Sequence, residues 1–294
     1  MNISIIGVGH IGGSLARALR SRNFGTRFMG FDQNPDHAQT ALQLGLIDEV
    51  SESETALKKA DLVILAIPVD QAKHKISSIL DGIGEQTVVM DVGSTKQGIC
   101  DSIRKHPRRN RFVASHPIAG TENSGPQSAL GDLFENKVSI LCEKEKSAPD
   151  AKELVEKLYR TLNMKILYMG SQEHDLHVAY VSHLSHVSSY TLGLTVLEIE
   201  KSEKTIFNLA GSGFASTVRL AKSSPSMWAP IFNQNAQHLS QALGAYIDNL
   251  KLFKKMIDDG NSDRLYQLME ESNSIRRILD GIQLNETKLE KIRS

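Results

Sequence analysis

Three glycines follow the first apolar segment of the chain with the spacing of a phosphate-binding turn. Residues 3–6 lead into Gly7-Val8-Gly9-His10-Ile11-Gly12, and a helical pattern follows over residues 14–22. Such glycines allow a tight bend, the close approach of a pyrophosphate and close helix–strand packing, while the helix N-terminus offers N–H groups to phosphate oxygens. The motif predicts a dinucleotide site lined by Gly7, Gly9, His10, Ile11 and Gly12. The alternative is a glycine-rich turn in an ordinary α/β domain.

An acidic residue ends the second strand-like segment, residues 27–31. Asp32 lies about 20 residues beyond Gly12, where a carboxylate accepts hydrogen bonds from a ribose 2′-hydroxyl. The same charge would repel a 2′-phosphate. The sequence therefore favours NAD over NADP.

His116 follows another strand-like segment and opens a loop that Pro117, Gly120 and Gly125 punctuate. A histidine at this position suits a general base near neutral pH, although a lone one is more often structural or merely exposed. Ser94 ends the preceding strand, and its hydroxyl is expected beside His116. The alternative for that segment is a strand-to-helix turn with an N-cap.

Four histidines open the C-terminal part of the chain, at positions 174, 177, 183 and 186, beside Asp175. The cluster raises the question of a metal site, but no third ligand recurs at the spacing of a zinc-binding helix, and we predict no metal. His183 and His186 are instead expected to line a substrate cleft.

A second glycine turn, residues 211–213, leads into a helix that carries Arg219. A guanidinium in this position suits bidentate binding of a carboxylate. Without that context, a lone helix arginine is usually a solvated surface residue.

Strand and helix patterns alternate through the first half of the chain. The predicted strands are residues 3–6, 27–31, 48–50, 61–68, 87–92, 112–115, 137–142 and 165–169, and the predicted helices are 14–22, 35–44, 71–80, 96–104 and 150–162. This order is typical of a mostly parallel sheet covered by helices on both faces, with ligands beyond the carboxyl ends of the strands. Asp32, Pro68, Ser94 and His116 lie at such ends, so we expect one shared cleft.

Near residue 170 the strand patterns stop, which predicts two domains, residues 1–169 and 170–294. Ser224 and Pro225 open a helix whose apolar stripe runs from Trp228 to Ile257 before Gly260 ends it. That is about nine turns at 3.6 residues per turn. So long a stripe needs a partner helix, from its own domain or from a second subunit. A further helix is predicted over residues 262–281.

The composition narrows the class of protein. The 294 residues carry a formal net charge of zero and no long basic run, which argues against nucleic acid or an anionic membrane as the main partner. The most apolar stretch, residues 62–69, is too short to span a bilayer. The two cysteines are expected to be reduced, and the first strand leaves no room for a signal peptide, so we expect a cytoplasmic protein.

Together these motifs resemble those of the prephenate/arogenate dehydrogenase family of tyrosine biosynthesis. Residues 7–14 match its GxGxIGGS pattern, residues 91–96 its DxGSxK pattern and residues 116–125 its HPxAGxExSG pattern. Its SHLPH motif is present at 182–186 with Ser185 in place of proline. Its GFxDxTR motif is present at 213–219 with Ser216 in place of the acid and Val218 in place of threonine.

The resemblance implies an N-terminal Rossmann-type, doubly wound, mostly parallel sheet followed by an all-helical domain that forms most of a homodimer interface. The implied reaction is the NAD-dependent oxidative decarboxylation of prephenate. Hydride leaves ring carbon 4, carbon dioxide departs and the ring becomes aromatic. We expect no domain for tyrosine feedback, because the sequence after the helical domain is too short for one.

The resemblance also implies roles for the site residues. His116 accepts the proton of the 4-hydroxyl, Ser94 orients His116 or the nicotinamide, and Arg219 binds the side-chain carboxylate of the substrate. The two histidines of the 182–186 motif help to line the pocket. Glu122 is expected in an ionic gate over the cleft, although Ser216 replaces the acid of that network.

Three alternatives stay open at this point. In the first, the substrate is arogenate. In the second, the enzyme is another NAD-dependent dehydrogenase of the β-hydroxyacid type. In the third, the protein is a non-catalytic NAD-binding sensor. A β-hydroxyacid enzyme would need a catalytic lysine in the helical domain, for which the sequence has no matching motif. A sensor would not need His116, Ser94 and Arg219 together.

Overall fold

The computed structural model describes residues 1–51 and 55–281. The chain divides into two compact units, Met1–Leu239 and Ser240–Ser294. The first unit is built on eight strands: β1 (Asn2–Ile6), β2 (Arg27–Phe31), β3 (Glu49–Val50), β4 (Leu62–Leu65), β5 (Val88–Asp91), β6 (Phe112–Pro117), β7 (Val138–Cys142) and β8 (Lys165–Met169).

These strands form one sheet in the order β3-β2-β1-β4-β5-β6-β7-β8. Every neighbouring pair is parallel except β6 and β7, which are antiparallel. The chain leaves β1 for one edge and later returns beside β1 at β4. The carboxyl ends of β1, β4, β5 and β6 therefore lie side by side, which is where a doubly wound sheet binds its ligands.

Six helices accompany the strands: α1 (His10–Ser21), α2 (Pro35–Gln43), α3 (Thr55–Lys59), α4 (Val69–Gly82), α5 (Gln97–Ser102) and α6 (Pro149–Thr161). They cover both faces of the sheet. Ile64 of β4 belongs to the apolar cluster that contains α1 and α6, whereas its neighbours Val63 and Leu65 belong to the cluster that contains α4. This alternation explains why β4 is apolar at every position. The predicted α/β fold class is confirmed.

Helix α1 begins earlier than predicted. The predicted helical pattern began at residue 14, after the glycine turn. The structure includes both glycines in the helix. A Cβ on Gly12 would stand 1.9 Å from the carbonyl oxygen of Gly7, so the close approach of α1 to the turn requires glycine at this position.

After β8 the chain is helical. Helix α7 (Ser171–Val178) runs through a π-helical turn, Ala179–His183, into α8 (Leu184–Glu200), and α9 (Ser212–Val218), α10 (Pro225–Gln234), α11 (Ala236–Asp258) and α12 (Ser262–Ser272) follow. Single π-helical turns inside α-helices are frequent at functional sites. Within the described part of the chain, no helix is long and apolar enough to cross a membrane.

The predicted nine-turn helix is wrong in one respect, because α10 ends at Gln234 and α11 begins at Ala236. Pro230 lies inside α10 and has no N–H for the helical ladder. Asn235, at the break, uses its side-chain amide to donate to the carbonyl oxygen of Asp175 at 2.6 Å. The helix that follows ends as predicted before Gly260, which has a φ of +61°.

Two further expectations for this region need correction. Ser224 precedes α10 as predicted, but its hydroxyl pairs with Ser226 and caps no backbone N–H. The helix predicted over residues 262–281 is interrupted by a 3₁₀ turn at Asn273–Ile275. The end of the predicted C-terminal domain, residues 282–294, lies outside the described residues.

Candidate active site

The glycine turn has the shape of a phosphate cradle. Gly7 has a φ of +92°, and a Cβ at this position would stand 2.4 Å from the carbonyl oxygen of Ala66, so both the backbone conformation and the space require glycine. Around Gly9, by contrast, a Cβ would meet nothing within 4 Å. The protein therefore leaves open space above Gly9, and the first-turn N–H groups of α1 receive no side-chain cap.

Asp32 lies against the same turn. Its Oδ2 accepts a hydrogen bond from the backbone N–H of Val8 at 3.0 Å, and its Oδ1 accepts one from the N–H of Asn34 at 2.9 Å. These bonds hold the carboxylate beside the open space over Gly9. The arrangement fits a dinucleotide whose pyrophosphate lies on the turn and whose ribose reaches the acid.

The other predicted cofactor residues surround this space. His10 is buried, its Nδ1 lies 2.8 Å from the carbonyl oxygen of Ser128, and burial lowers its pKa. Its ring thus braces the loop after β6, and only its backbone remains for phosphate. Ile11 is partly buried, and Pro68 is exposed at the end of β4, where α4 begins.

A fully buried ion pair joins β5 and β6 beneath the cleft. Lys96 Nζ pairs with Asp91 and donates to the carbonyl oxygen of Ser115 at 2.9 Å. The Ser115 hydroxyl donates to the carbonyl oxygen of Asp91 at 2.6 Å and lies 2.7 Å from the hydroxyl of Tyr159. Removing one partner of such a pair would leave an uncompensated buried charge. The network thus fixes the strand end that carries His116.

His116 is the last residue but one of β6 and is partly exposed. Its Nδ1 lies 2.8 Å from Nε2 of His174, and Nδ1 of His174 lies 2.7 Å from Oδ1 of Asp175. The two rings meet edge to face, with centroids 5.0 Å apart. Desolvation, followed by the neighbouring His174, Lys96 and His183, places the pKa of His116 well below its ordinary value. His116 is therefore neutral near pH 7, as a base must be.

Asp175 connects this histidine pair to the sheet. Its Oδ1 accepts from the backbone N–H of Lys96 at 2.7 Å, and its Oδ2 accepts from that of Gln97 at 2.9 Å. Asp175 of α7 thus caps the N-terminus of a separate helix, α5. This contact places His174 against the end of β6.

Ser94 lies partly buried in the turn between β5 and α5. The prediction set its hydroxyl beside His116. Among the hydrogen bonds of the described residues, the partner of His116 Nδ1 is His174, and no bond joins Ser94 to His116. Sequence reasoning missed this partner, because His174 belongs to a distant helix and carried no signal beyond membership of the histidine cluster.

Aromatic contacts hold His183, which ends the π-helical turn, and His186 of α8. The ring of His186 stacks on Trp228 with centroids 3.4 Å apart, and His183 meets the same indole edge-on at 5.9 Å. His183 is fully buried, and desolvation lowers its pKa to about 4. Its Nε2 and Nε1 of Trp228 are buried without a hydrogen-bond partner among the described residues. His186 is thus buried against one face of the Trp228 indole, and His183 lies at the edge of the same ring.

The remaining members of the histidine cluster diverge. His177 is exposed, whereas His174 is buried. Across the described ranges, no group of three or more His, Cys, Asp or Glu side chains is arranged to hold a metal ion.

Arg219 begins the 3₁₀ turn that follows α9 and reaches the loop after β6. Its guanidinium lies 3.3 Å from Oε2 of Glu122. The Arg219 side chain is 55% exposed and that of Glu122 is 34% exposed, so the pair is open to solvent and can exchange partners. Ser216, at the position of the family's acid, is exposed one turn away.

The glycine turn that suits a dinucleotide, the neutral His116 and the solvent-exposed guanidinium of Arg219 thus all belong to one compact unit, Met1–Leu239. Residues 15–168 match the family model for the nucleotide-binding domain of prephenate dehydrogenase, and residues 170–271 match that for its dimerization domain. The chain belongs to the prephenate dehydrogenase family. The resemblance predicted from the motifs is confirmed.

Curated relatives agree with this assignment. Prephenate dehydrogenase of Bacillus subtilis (strain 168) is 31% identical over 97% of this chain and 76% of its own length. Cyclohexadienyl dehydrogenase of Zymomonas mobilis is 30% identical over 95% of this chain and 96% of its own length. The chain is therefore similar to oxidoreductases of the prephenate dehydrogenase family along almost all of its length.

A solved structure shares the whole fold. The prephenate dehydrogenase of A. aeolicus, crystallised with hydroxyphenyl propionate and NAD⁺, superposes with a TM-score of 0.85 and 31% identity. The match covers 95% of this chain and 98% of that one. The order of a Rossmann-type domain followed by a helical domain, predicted for the prephenate dehydrogenase family, is confirmed.

Proposed function

We propose that the protein is an NAD-dependent prephenate dehydrogenase that produces 4-hydroxyphenylpyruvate and carbon dioxide for tyrosine biosynthesis in the cytoplasm. The observation that carries this proposal is the chain from His116 through His174 to Asp175, at the same sheet edge as the open glycine turn. We further propose that residues 1–169 hold the cofactor and that residues 170–294 supply the substrate and dimer contacts.

The cofactor side rests on the glycine turn. Gly9 leaves the space for a pyrophosphate, the N-terminus of α1 faces it, and Asp32 is held where it can accept from the ribose hydroxyls. When bound, NAD⁺ supplies the hydride acceptor of the reaction. Pro68 closes the same edge at the end of β4.

His116 acts on the substrate hydroxyl. As the C4–H pair leaves ring carbon 4 as hydride, the 4-hydroxyl proton passes to the unprotonated nitrogen of His116. The bond from ring carbon 1 to its carboxylate then breaks, carbon dioxide leaves, and that electron pair enters the ring and makes it aromatic. A positioned base of this kind contributes about 10²–10⁴-fold to the rate.

The rest of the site binds and orients the substrate. Arg219 exchanges Glu122 for the side-chain carboxylate of the substrate, and His186 with Trp228 forms a wall of the pocket that His183 supports. Ser94, which is partly buried in the turn after β5, orients the nicotinamide.

Prephenate is preferred over arogenate in this proposal. Arogenate carries a protonated amine where prephenate carries a keto group, and a site for that amine gains from a nearby carboxylate. Ser216 stands in place of the family's acid, so the negative charge available to that amine is reduced.

The deciding experiment measures NADH formation with prephenate and with arogenate and compares kcat/KM. We expect turnover of both to be detectable and prephenate to be favoured. A clear preference for arogenate would contradict the substrate assignment. Absence of NADH with either would favour a β-hydroxyacid dehydrogenase or a non-catalytic sensor.

Asp32→Ala should narrow the preference for NAD⁺ over NADP⁺, because it removes the charge that repels a 2′-phosphate and accepts from the 2′-hydroxyl. Steady-state kinetics with both cofactors measure the change. Asp36→Ala, which removes an exposed acid from the first turn of α2, is the matched control. Equal use of both cofactors by the unmodified protein would contradict the assignment.

We propose a homodimer formed through the helical region, in keeping with the dimerization-domain match. In α8, only His186 and Ser189 are buried, while Leu194 and Leu197 are 68% and 54% exposed. An apolar face of this kind marks an association surface.

Sedimentation at micromolar concentration should give a dimer, and the double variant Leu194→Glu and Leu197→Glu should shift it toward the monomer. Leu44→Glu, at a similarly exposed leucine after α2, should have no such effect. A monomeric unmodified protein would exclude the dimer.

A further inference from the structure

The hydrogen bonds of Asp175 determine which way protons point in its neighbours. Its two oxygens accept from the backbone N–H groups of Lys96 and Gln97, so this carboxylate is an acceptor on both sides. The ring nitrogen that faces it, Nδ1 of His174, lies 2.7 Å from Oδ1 and must therefore be the N–H donor.

His174 then has its proton on Nδ1. Desolvation lowers the pKa of this fully buried ring, although Asp175 works in the opposite direction, and a neutral imidazole carries one proton. Its Nε2 is consequently a lone-pair acceptor. The other tautomer would set the lone pair of Nδ1 against the oxygen of Asp175, which is repulsive.

The same logic passes to His116. Its Nδ1 lies 2.8 Å from the accepting Nε2 of His174, so Nδ1 of His116 must donate. In the neutral ring, the remaining nitrogen, Nε2, is then unprotonated. No hydrogen bond to Nε2 of His116 is present among the described residues, and this is the nitrogen left for the cleft.

We propose that His174 is a positioning residue that, with Asp175, holds the proton of His116 on Nδ1 and so keeps Nε2 ready to accept the substrate proton. This inference rests on the proposed function and adds to it the source of the base's tautomer. During the reaction, the proton from the 4-hydroxyl binds Nε2 of His116. The Nδ1–H of the resulting imidazolium donates to His174, and the proton returns from Nε2 to the 4-oxygen as carbon dioxide leaves, which gives the phenol and restores the neutral His116.

The hydrogen-bonded series from His116 through His174 to Asp175 is held in place because Asp175, at its far end, is fixed by two elements. Asp175 is held by the N-terminus of α5 through its side chain and by Asn235 through its carbonyl oxygen, at 2.6 Å. Both Asp175 and His174 are buried, so water does not replace either partner. The break between α10 and α11 thus places Asn235 where its side chain can donate to the carbonyl oxygen of Asp175.

Charges around His116 come from several elements. Lys96, neutralised by Asp91, lies below it, His174 with Asp175 lies on α7, and His183 lies at the π-helical turn. His183 receives the amide of Asn235 on Nδ1 at 3.2 Å and is itself neutral near pH 7. In this setting, the orienting hydrogen bonds from His174 and Asp175 decide the tautomer.

The test is the ¹⁵N spectrum of histidine-labelled full-length protein at neutral pH, because the nitrogen chemical shift separates protonated from unprotonated ring nitrogens. Comparison with His116→Asn assigns the His116 signals. We expect His116 to be protonated on Nδ1 alone. Protonation on Nε2 in the unmodified protein would overturn the proposal, whatever the substrate proves to be.

Two substitutions at position 174 separate tautomer control from packing. His174→Phe keeps a ring but offers no acceptor, and it should give a mixture of His116 tautomers and lower kcat about 10- to 100-fold, less than loss of the base. His174→Gln provides an amide oxygen that accepts from Nδ1–H, and it should restore the Nδ1 tautomer and much of kcat. KM for prephenate should change little in either variant.

His106→Phe, at a largely buried histidine that pairs with Asp81, is the matched control and should leave kcat unchanged. Full turnover by His174→Phe would overturn the proposal. So would a glutamine variant no better than phenylalanine. If the phenylalanine variant fails to fold, the spectra of the unmodified and glutamine proteins decide the matter. An inactive unmodified protein with the Nδ1 tautomer would refute the dehydrogenase assignment and leave the tautomer result in place.

Discussion

His116→Asn is expected to lower kcat about 10²- to 10⁴-fold with prephenate, with little change in the affinity for NAD⁺. Asparagine cannot accept the proton of the 4-hydroxyl, so in this variant that proton has no acceptor as hydride leaves. The glycine turn and Asp32 do not depend on this side chain, because Asp32 is held by the backbone N–H groups of Val8 and Asn34. Cofactor binding should thus survive.

The pH profile provides an independent check on the same residue. Only the unprotonated His116 is active, so kcat/KM must fall as the pH falls through its pKa. Because burial and the neighbouring His174 and Lys96 hold that pKa well below the ordinary histidine value, the fall should lie at more acidic pH than for a solvated histidine. The residual activity of His116→Asn should lack this acid limb.

His74→Asn changes an exposed histidine on α4 and serves as the control. Its kcat and pH profile should match those of the unmodified protein. Near-normal turnover by His116→Asn, or an unchanged acid limb, would remove His116 from the mechanism.

The parts of this protein that were predictable from sequence are those that local chemistry determines. A strand, a glycine turn, a helix and a terminal acid occupy the first 32 positions in order, and the structure places Gly7, Gly9 and Asp32 together as expected. The strands were equally readable, because buried parallel strands have continuous apolar runs. These signals lie within a few residues of each other and do not depend on distant contacts.

The start of α1 and the break at Asn235 could not be read in the same way. The helical pattern was predicted only from residue 14, yet α1 includes Gly12, where the close approach to Gly7 requires glycine. Periodicity continued through Asn235, yet its side chain is bonded to Asp175 and His183. At Gly12 a close backbone approach within the turn decides the residue type, and at Asn235 contacts with a distant part of the chain interrupt the periodic pattern.

The partner of His116 was missed for a similar reason. The sequence suggested Ser94, because both residues follow neighbouring strands. The structure places His174 there instead, through the cap that Asp175 provides to α5. A side chain that caps a helix in another part of the chain has no sequence signature. Only the fold brings the histidine pair together.

Arg219→Gln is expected to raise the KM for prephenate and to lower kcat/KM about 10- to 100-fold, which corresponds to about 1.4–2.8 kcal/mol. A fully desolvated charge pair would lose about 2–5 kcal/mol or more. The range is smaller because the Arg219 side chain is 55% exposed and already lies 3.3 Å from Glu122. The substrate must displace that carboxylate, which offsets part of the attraction between Arg219 and the substrate.

Three further variants give this prediction its controls. Arg219→Lys keeps the charge but loses the planar fork, so it should recover only part of the loss. Glu122→Gln removes the competing carboxylate and should leave the KM for prephenate unchanged or lower. Lys222→Gln removes a cation from the same exposed turn and should have little effect, which separates a specific contact from the general field of the surface. If Lys222→Gln raised the KM for prephenate as much as Arg219→Gln, the carboxylate would be bound by the general positive charge of the surface. Arg219 would then make no specific contact with the substrate.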